Sequence, residues 1–173
     1  LVRRLAPELA QRGISIHARC SACLGHFCKP HGSQATIRCD LYLVSERTIL
    51  NRPISNLSQE MLPISVGISP MVANPEIGPE AADKHWREQH APIALEAHTA
   101  MTHYYQLSVM HRFSDEGWNG LALCCFASED DLRNNFYNSA EGKHRGAEDV
   151  AKFADTKRSP RRVVTRLAGH YAV

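Results

Sequence analysis

"HYYQLSVMHRF" (His103–Phe113), "SDEG" (Ser114–Gly117) and "WNGLALCCFAS" (Trp118–Ser128) succeed one another without a break. Two runs rich in aromatic and apolar residues around a polar, glycine-ended turn predict an antiparallel strand pair. Strand alternation sets His103, Tyr105, Leu107, Val109, His111 and Phe113 on one face of the first strand, and that face is expected to meet the helices. Tyr104, Gln106, Ser108, Met110 and Arg112 take the other.

Upstream, "LPISVGIS" (Leu62–Ser69) alternates apolar Leu62, Ile64, Val66 and Ile68 with Pro63, Ser65, Gly67 and Ser69, the pattern of a half-buried strand. "ANPEIGP" is a turn-rich loop, and Pro79 suits the first turn of a helix expected from about Pro79 to Met101. On that helix Trp86, His90 and Ile93 share a stripe at i, i+4, i+7, which Ala82 and Ala97 extend. Pro92 has no N–H to give the ladder, so a bend is expected close to His90.

Downstream, Ser128 is the expected N-cap of a helix in "SEDDLRNNFYNS", with an acidic first turn and Leu132 and Phe136 one turn apart. "GAEDVAKFAD" predicts a further short helix and "RRVVTRLAGHY" a last strand. The order is β-α-β-β-α-β, the split arrangement of ferredoxin-like α+β folds. Its antiparallel sheet carries helices on one face only, so the other face needs a cover.

Periodicity is weaker before residue 60. Residues 1–12 read as an amphipathic helix ended by Gly13, without the continuous apolar core of a secretion signal. "IRCDLYLVSE" (Ile37–Glu46) reads as a strand and "RTILNRPISNLSQE" as a linker broken by Asn51, Pro53 and Asn56. Cys20, Cys23, Cys28 and Cys39 accompany His26 and His31, but one CxxC without a second pair is a weak zinc pattern, and the expectation is reduced thiols and no metal. Cys124 and Cys125 lie within an apolar strand and read as small core residues.

The 173 residues, 43% hydrophobic and 22% charged, suit a globular chain with one domain or two small ones. No apolar run is long enough for a membrane span. The net charge is +2, with eight Lys/Arg against four Asp/Glu in residues 1–60. These cations are scattered and not interleaved with aromatics, which argues against nucleic acid. The expected location is cytoplasmic.

"WREQHAPIA" (Trp86–Ala94), with a strand and a Pro/Gly loop before it, resembles the signature of the EthD family of dimeric α+β barrel proteins. "WNGLALCCFASEDDLRNNF" resembles the family's strand–cap–helix segment, and in "AEDVAKF" Asp149 and Phe153 match an acidic residue and an aromatic of its last helix. The resemblance runs from Leu62 to Leu167. "LYLVSERTIL" faintly resembles the segment between tandem half-domains in some members. On that reading residues 1–58 are a partial or degenerate first ferredoxin-like half and residues 59–173 the EthD-like domain.

The resemblance implies a homodimer whose sheets close a barrel, with a pocket between each sheet and its helices. Relatives are linked to degradation of ethers and aromatics and to polyketide tailoring. Related barrels include cofactor-free monooxygenases, lactone isomerases and haem enzymes. The expected function is therefore cofactor-independent acid/base chemistry on a small, apolar, oxygenated compound of aromatic, phenolic or polyketide-like type. His90 is the candidate acid/base, because imidazole titrates near neutrality. Trp86, Tyr105, His103 and His111 are the candidate substrate-binding residues. His98 and His144 read as surface residues. A structural imidazole at His90, a non-catalytic binding or stress-associated barrel, and a haem-binding barrel stay open as alternatives.

Overall fold

The computed structural model describes residues 14–20, 39–52, 65–113, 117–160 and 162–166, with backbone alone at 14–20, 39–40 and 163–166. The chain divides into two compact units, one drawn from Leu1–Ser45 and Val109–Gly117, the other from Glu46–Ser108 and Trp118–Val173.

In the first unit β1 (Ile14–Cys20) runs antiparallel to β2 (Cys39–Asn51), in register from Ile14 opposite Ser45 to Cys20 opposite Cys39. The N–H of Phe113 donates to the carbonyl of Leu41 at 3.1 Å. Gly117 leaves room for Tyr42, whose hydroxyl lies 2.5 Å from where a Cβ would stand. The helix expected at residues 1–12, and Cys23, Cys28, His26 and His31, lie outside the described residues.

The second unit begins within β2, which continues to Asn51 through part of the stretch expected as linker. The pattern there hides a strand because its anchors are distant: Arg47 binds Asp83, and the Arg52 N–H donates to the Thr102 carbonyl at 2.9 Å. Then come β3 (Ser65–Met71), α1 (Gly78–His85), a π-helical turn (Trp86–His90), α2 (Ala91–Ala97), β4 (Met101–Arg112) and β5 (Gly120–Phe126). The unit closes with α3 (Glu129–Asn134), α4 (Ala140–Phe153) and β6 (Val163–Arg166). Four antiparallel strands lie in the order β4-β5-β3-β6. This α+β architecture is compatible with the ferredoxin-like arrangement. No helix among the described residues is long and apolar enough to cross a membrane.

Local chemistry accounts for the boundaries. The Ser128 hydroxyl accepts from the Asp131 N–H at 3.0 Å and Ser139 from the Gly142 N–H at 2.9 Å, so each helix of the last pair starts on a serine cap. Gly78 turns into α1 with a φ of +78°, a conformation a Cβ disfavours. The helix expected near "GAEDVAKFAD" starts earlier, at Ala140, because Ser139 supplies the cap.

Near where a bend is expected, the helix ladder is interrupted beside Pro92. A π turn precedes it: the Ala91 N–H reaches back five residues to the Trp86 carbonyl, and Pro92 falls in the first turn of α2, where a missing N–H costs little. The extra residue in that turn rotates α2 relative to α1. The buried stripe therefore runs Ala82, Trp86, His90, Ala91, Ala94 and Ala97, and Ile93, expected on it, is only half-buried.

Two apolar clusters fill the space between sheet and helices. Met101, Tyr104, Phe126, Leu132 and Phe136 gather at one end. Met71, Ala82, Trp86 and Phe153 gather at the other.

Candidate functional site

Asp149, near the end of α4, is buried, with 3% of its surface exposed. An ionised carboxylate only accepts hydrogen bonds, so its two imidazole partners donate. His90 gives its Nδ1–H to Oδ2 at 2.9 Å, and His85 its Nε2–H to Oδ1 at 3.0 Å. Lys152 Nζ stands 3.4 Å from Oδ1 on the solvent side. These contacts tie α1 and the π turn to α4. Burial opposes the charge on Asp149, but the bonds from His85 and His90 outweigh it and hold its carboxyl below the usual range. Burial also pushes the His90 imidazole below its ordinary value, against the opposing pull of Asp149. At neutral pH the pair is a carboxylate and a neutral imidazole, with Nδ1 bearing the proton and Nε2 its lone pair. The Phe153 ring packs on His90 at 5.0 Å and on His85 at 5.4 Å between centroids, fixing both rings.

Trp86, 2% exposed, starts the π turn. Its indole N–H donates to the Tyr104 hydroxyl at 3.1 Å. Gln106 spends both amide hydrogens nearby, one on the Trp86 carbonyl and one on the same Tyr104 oxygen, each at 3.1 Å. The Tyr104 oxygen thus accepts twice, which leaves its own hydrogen to donate elsewhere. Complete burial raises the Tyr104 pKa, so the group is a neutral donor. The indole lies flat on β5 only because residue 120 is glycine: a Cβ there would stand 2.6 Å from the ring.

A cavity of 430 Å³ lies between the sheet and the helices of the second unit, within the range of small-molecule sites. Its volume comes from small residues on its floor, Ser69 of β3 and Ala122 and Cys124 of β5, and from Gly146 on the facing helix. His90, Trp86 and Tyr104 all border it, as do His98, Tyr137 and Arg162. No partner to His90 Nε2 is found among the described residues.

Of the residues expected at the site, His90 and Trp86 border the cavity and lie on one helical stretch. His103, Tyr105 and His111 do not border it, and the expected facing of β4 is corrected. Alternation from His103 onward holds, but Tyr104 and Gln106 are the residues that point to the helices. His103 and Tyr105 stack on each other at 6.1 Å on the opposite face, and His111 is exposed beside Phe113. His98 is also corrected. It is 8% exposed, its Nδ1–H donates to the Phe136 carbonyl at 2.5 Å, and Phe136 and Tyr137 pack on its ring. His144 is on the surface, beside Glu148.

Sequence reasoning does not name Asp149, His85, Tyr104 or Gln106 as site residues. Asp149 leaves a trace, as an acidic residue of a helix that resembles a family segment. Tyr104 becomes legible only once the face of β4 that the helices cover is known.

Among the described residues no group of three or more His, Cys, Asp or Glu side chains is arranged to hold a metal ion. His85 and His90 present nitrogens to different oxygens of Asp149, so they do not converge on one point.

A helix-covered antiparallel sheet with a cavity bordered by a carboxylate-held imidazole defines an α+β domain with a candidate site between sheet and helices. The family model for the EthD domain matches residues 74–157, a span that contains His85, Trp86, His90, Tyr104, Asp149 and Phe153. That match bears out the resemblance to the EthD family that the motifs led us to expect. No curated protein and no solved structure matches the chain.

Proposed function

We propose that the chain is a cofactor-independent enzyme acting on a small aromatic, phenolic or polyketide-like compound, and that it works as a homodimeric α+β barrel. One observation carries this reading: His90, fixed by Asp149, borders the same cavity as the spare hydrogen of Tyr104. The proposed step is a proton transfer. A substrate C–H or phenolic O–H gives its proton to His90 Nε2, and Tyr104 donates a hydrogen bond to the oxygen on which negative charge collects. Asp149 then stabilises the imidazolium, as the carboxylate of an Asp–His pair does in acyl-transfer enzymes. The proton returns from Nε2 to the anion at a new position in an isomerisation. The depressed pKa of His90 favours the neutral base, and the raised pKa of Tyr104 favours a donor that stays protonated.

A second reading, a binding protein without turnover, draws support from His85. It shares Asp149 with His90 yet does not border the cavity, so the three groups also serve as a lock between helices.

Deuterium exchange separates the readings. An aryl 1,3-diketone incubated with the protein in D₂O is expected to exchange its acidic C–H faster than buffer allows. His90→Ala and His90→Gln should each lose about 10²-fold of that acceleration. Equal exchange in both variants and the native chain would leave only the binding reading. A Soret band in the purified protein would overturn cofactor independence.

A further inference from the structure

Arg162, just before β6, is an exposed cation that borders the cavity. No carboxylate pairs with it among the described residues. Its guanidinium lies 3.7 Å over the Phe136 ring, a stacking that fixes the plane of the group without consuming its N–H donors. The stem is positioned as well. It runs across Gly67 of β3, where a Cβ would meet the Arg162 Cδ at 2.9 Å and Leu132 at 3.2 Å. Glycine at this point of the strand lets the arginine lie along the sheet and carry its charge to the cavity. Tyr137 and His98 border the same cavity, and the charge of Arg162 is felt at both. The Ser159 hydroxyl, which accepts the Val72 N–H at 3.0 Å, pins the segment leading to Arg162 against β3.

A planar guanidinium with no partner for its donors among the described residues, bordering one cavity with a phenol, is a recognition site for a planar anion, and a carboxylate matches its fork. His90 and Tyr104 border the same cavity, so one ligand can engage both ends. The geometry points to Arg162 as the residue that selects anionic ligands, so that the compounds this cavity takes are aromatic carboxylates bearing a further hydroxyl or carbonyl. This rests on the reading that the cavity binds a small molecule and narrows it to a charge class.

The test compares 3-hydroxy-2-naphthoate with its primary amide, which keeps the shape and removes the charge, by titration calorimetry on the full chain. The native chain is expected to bind the carboxylate roughly tenfold or more tightly than the amide. Arg162→Gln should bring that ratio to about one, and Arg162→Lys should keep part of it. Raising salt should weaken the carboxylate alone, a measurement that needs no variant. Equal binding of both compounds by the native chain, or a ratio that survives Arg162→Gln, overturns the inference. Binding of neither overturns it together with the cavity reading. Failure of the acid–base reading looks different: the carboxylate preference persists, and deuterium exchange is the same in native chain and His90→Gln.

Discussion

His90 and Asp149 come from separate helices and meet through one hydrogen bond, Nδ1 to Oδ2 at 2.9 Å, beneath the Phe153 ring. The bond fixes which imidazole nitrogen bears the proton, so it decides which nitrogen the cavity meets.

Asp149→Asn keeps the shape and removes the charge. The amide leaves His85 and His90 competing for one acceptor oxygen, and the expected loss is roughly 2–4 kcal/mol of stability, read as a lower unfolding midpoint in urea. Asp149 raises the His90 pKa in the native protein, so the variant should titrate His90 lower still. Imidazole NMR shifts that move upward in pH, or not at all, would contradict the pairing.

Acid should weaken the fold in two stages. His90 has a folded pKa below its unfolded value, so the unfolded chain takes the proton first, and stability falls as pH drops below about 6.5. The Asp149 carboxyl is likewise depressed, and its contribution is complete above about 4 and lost as pH falls through the lowered value. Urea midpoints measured against pH should show the first stage reduced in His90→Gln, the remainder belonging to the likewise depressed His98. A native profile without a slope between those values would sink this account.

Gly120→Ala brings a methyl against the Trp86 indole, where 2.6 Å is too close for any real contact. The ring must move off β5, and its hydrogen bond to Tyr104 breaks. The expected cost is about 1–3 kcal/mol, with a shift in tryptophan emission that Gly142→Ala, away from the indole, should not reproduce.

The thiols of Cys124 and Cys125 are held protonated by burial, at pKa values of about 12 and about 11. In native protein at pH 8 neither should react with iodoacetamide, while both should in urea, as peptide mapping by mass spectrometry will read. Labelling of Cys125 in the folded state would mean the strand opens far more readily than its burial implies, and labelling of Cys124, which lines the cavity, would mean its thiol is not held protonated.

The face of the sheet turned from the helices carries half-buried Ile68, Leu121, Leu123 and Tyr105. A second copy covering that face would make a homodimer. Light scattering at micromolar concentration should give twice the chain's 19.3 kDa, and a stable monomer would refute the barrel reading.

The strand pair, the serine cap at Ser128 and the stripe of Ala82, Trp86 and His90 are legible in the sequence, because each rests on short-range periodicity or a local hydrogen bond. The facing of β4 is not: alternation separates His103, Tyr105 and His111 from Tyr104 and Gln106 but does not say which set meets the helices. Tyr105 is therefore the residue expected at the site in place of Tyr104. Asp149 is equally hidden as a partner of His90: it lies 59 residues away, and only folding shows that two imidazoles satisfy it. The continuation of β2 through Asn51 depends on Arg47 reaching Asp83, again a distant event.

The floor of the cavity offers a separate route to change. Ser69 and Ala122 are not among the groups that move protons in the proposed step, yet each added methylene there takes volume from the ligand. Ala122→Leu would exclude bulky ring systems while His90, Tyr104 and Asp149 stay as they are. Under the proposed function, size selection and reactivity are thereby decoupled in this fold. An enzyme of the proposed kind would trade one guest for another through a single substitution in a strand, with its chemistry carried over intact.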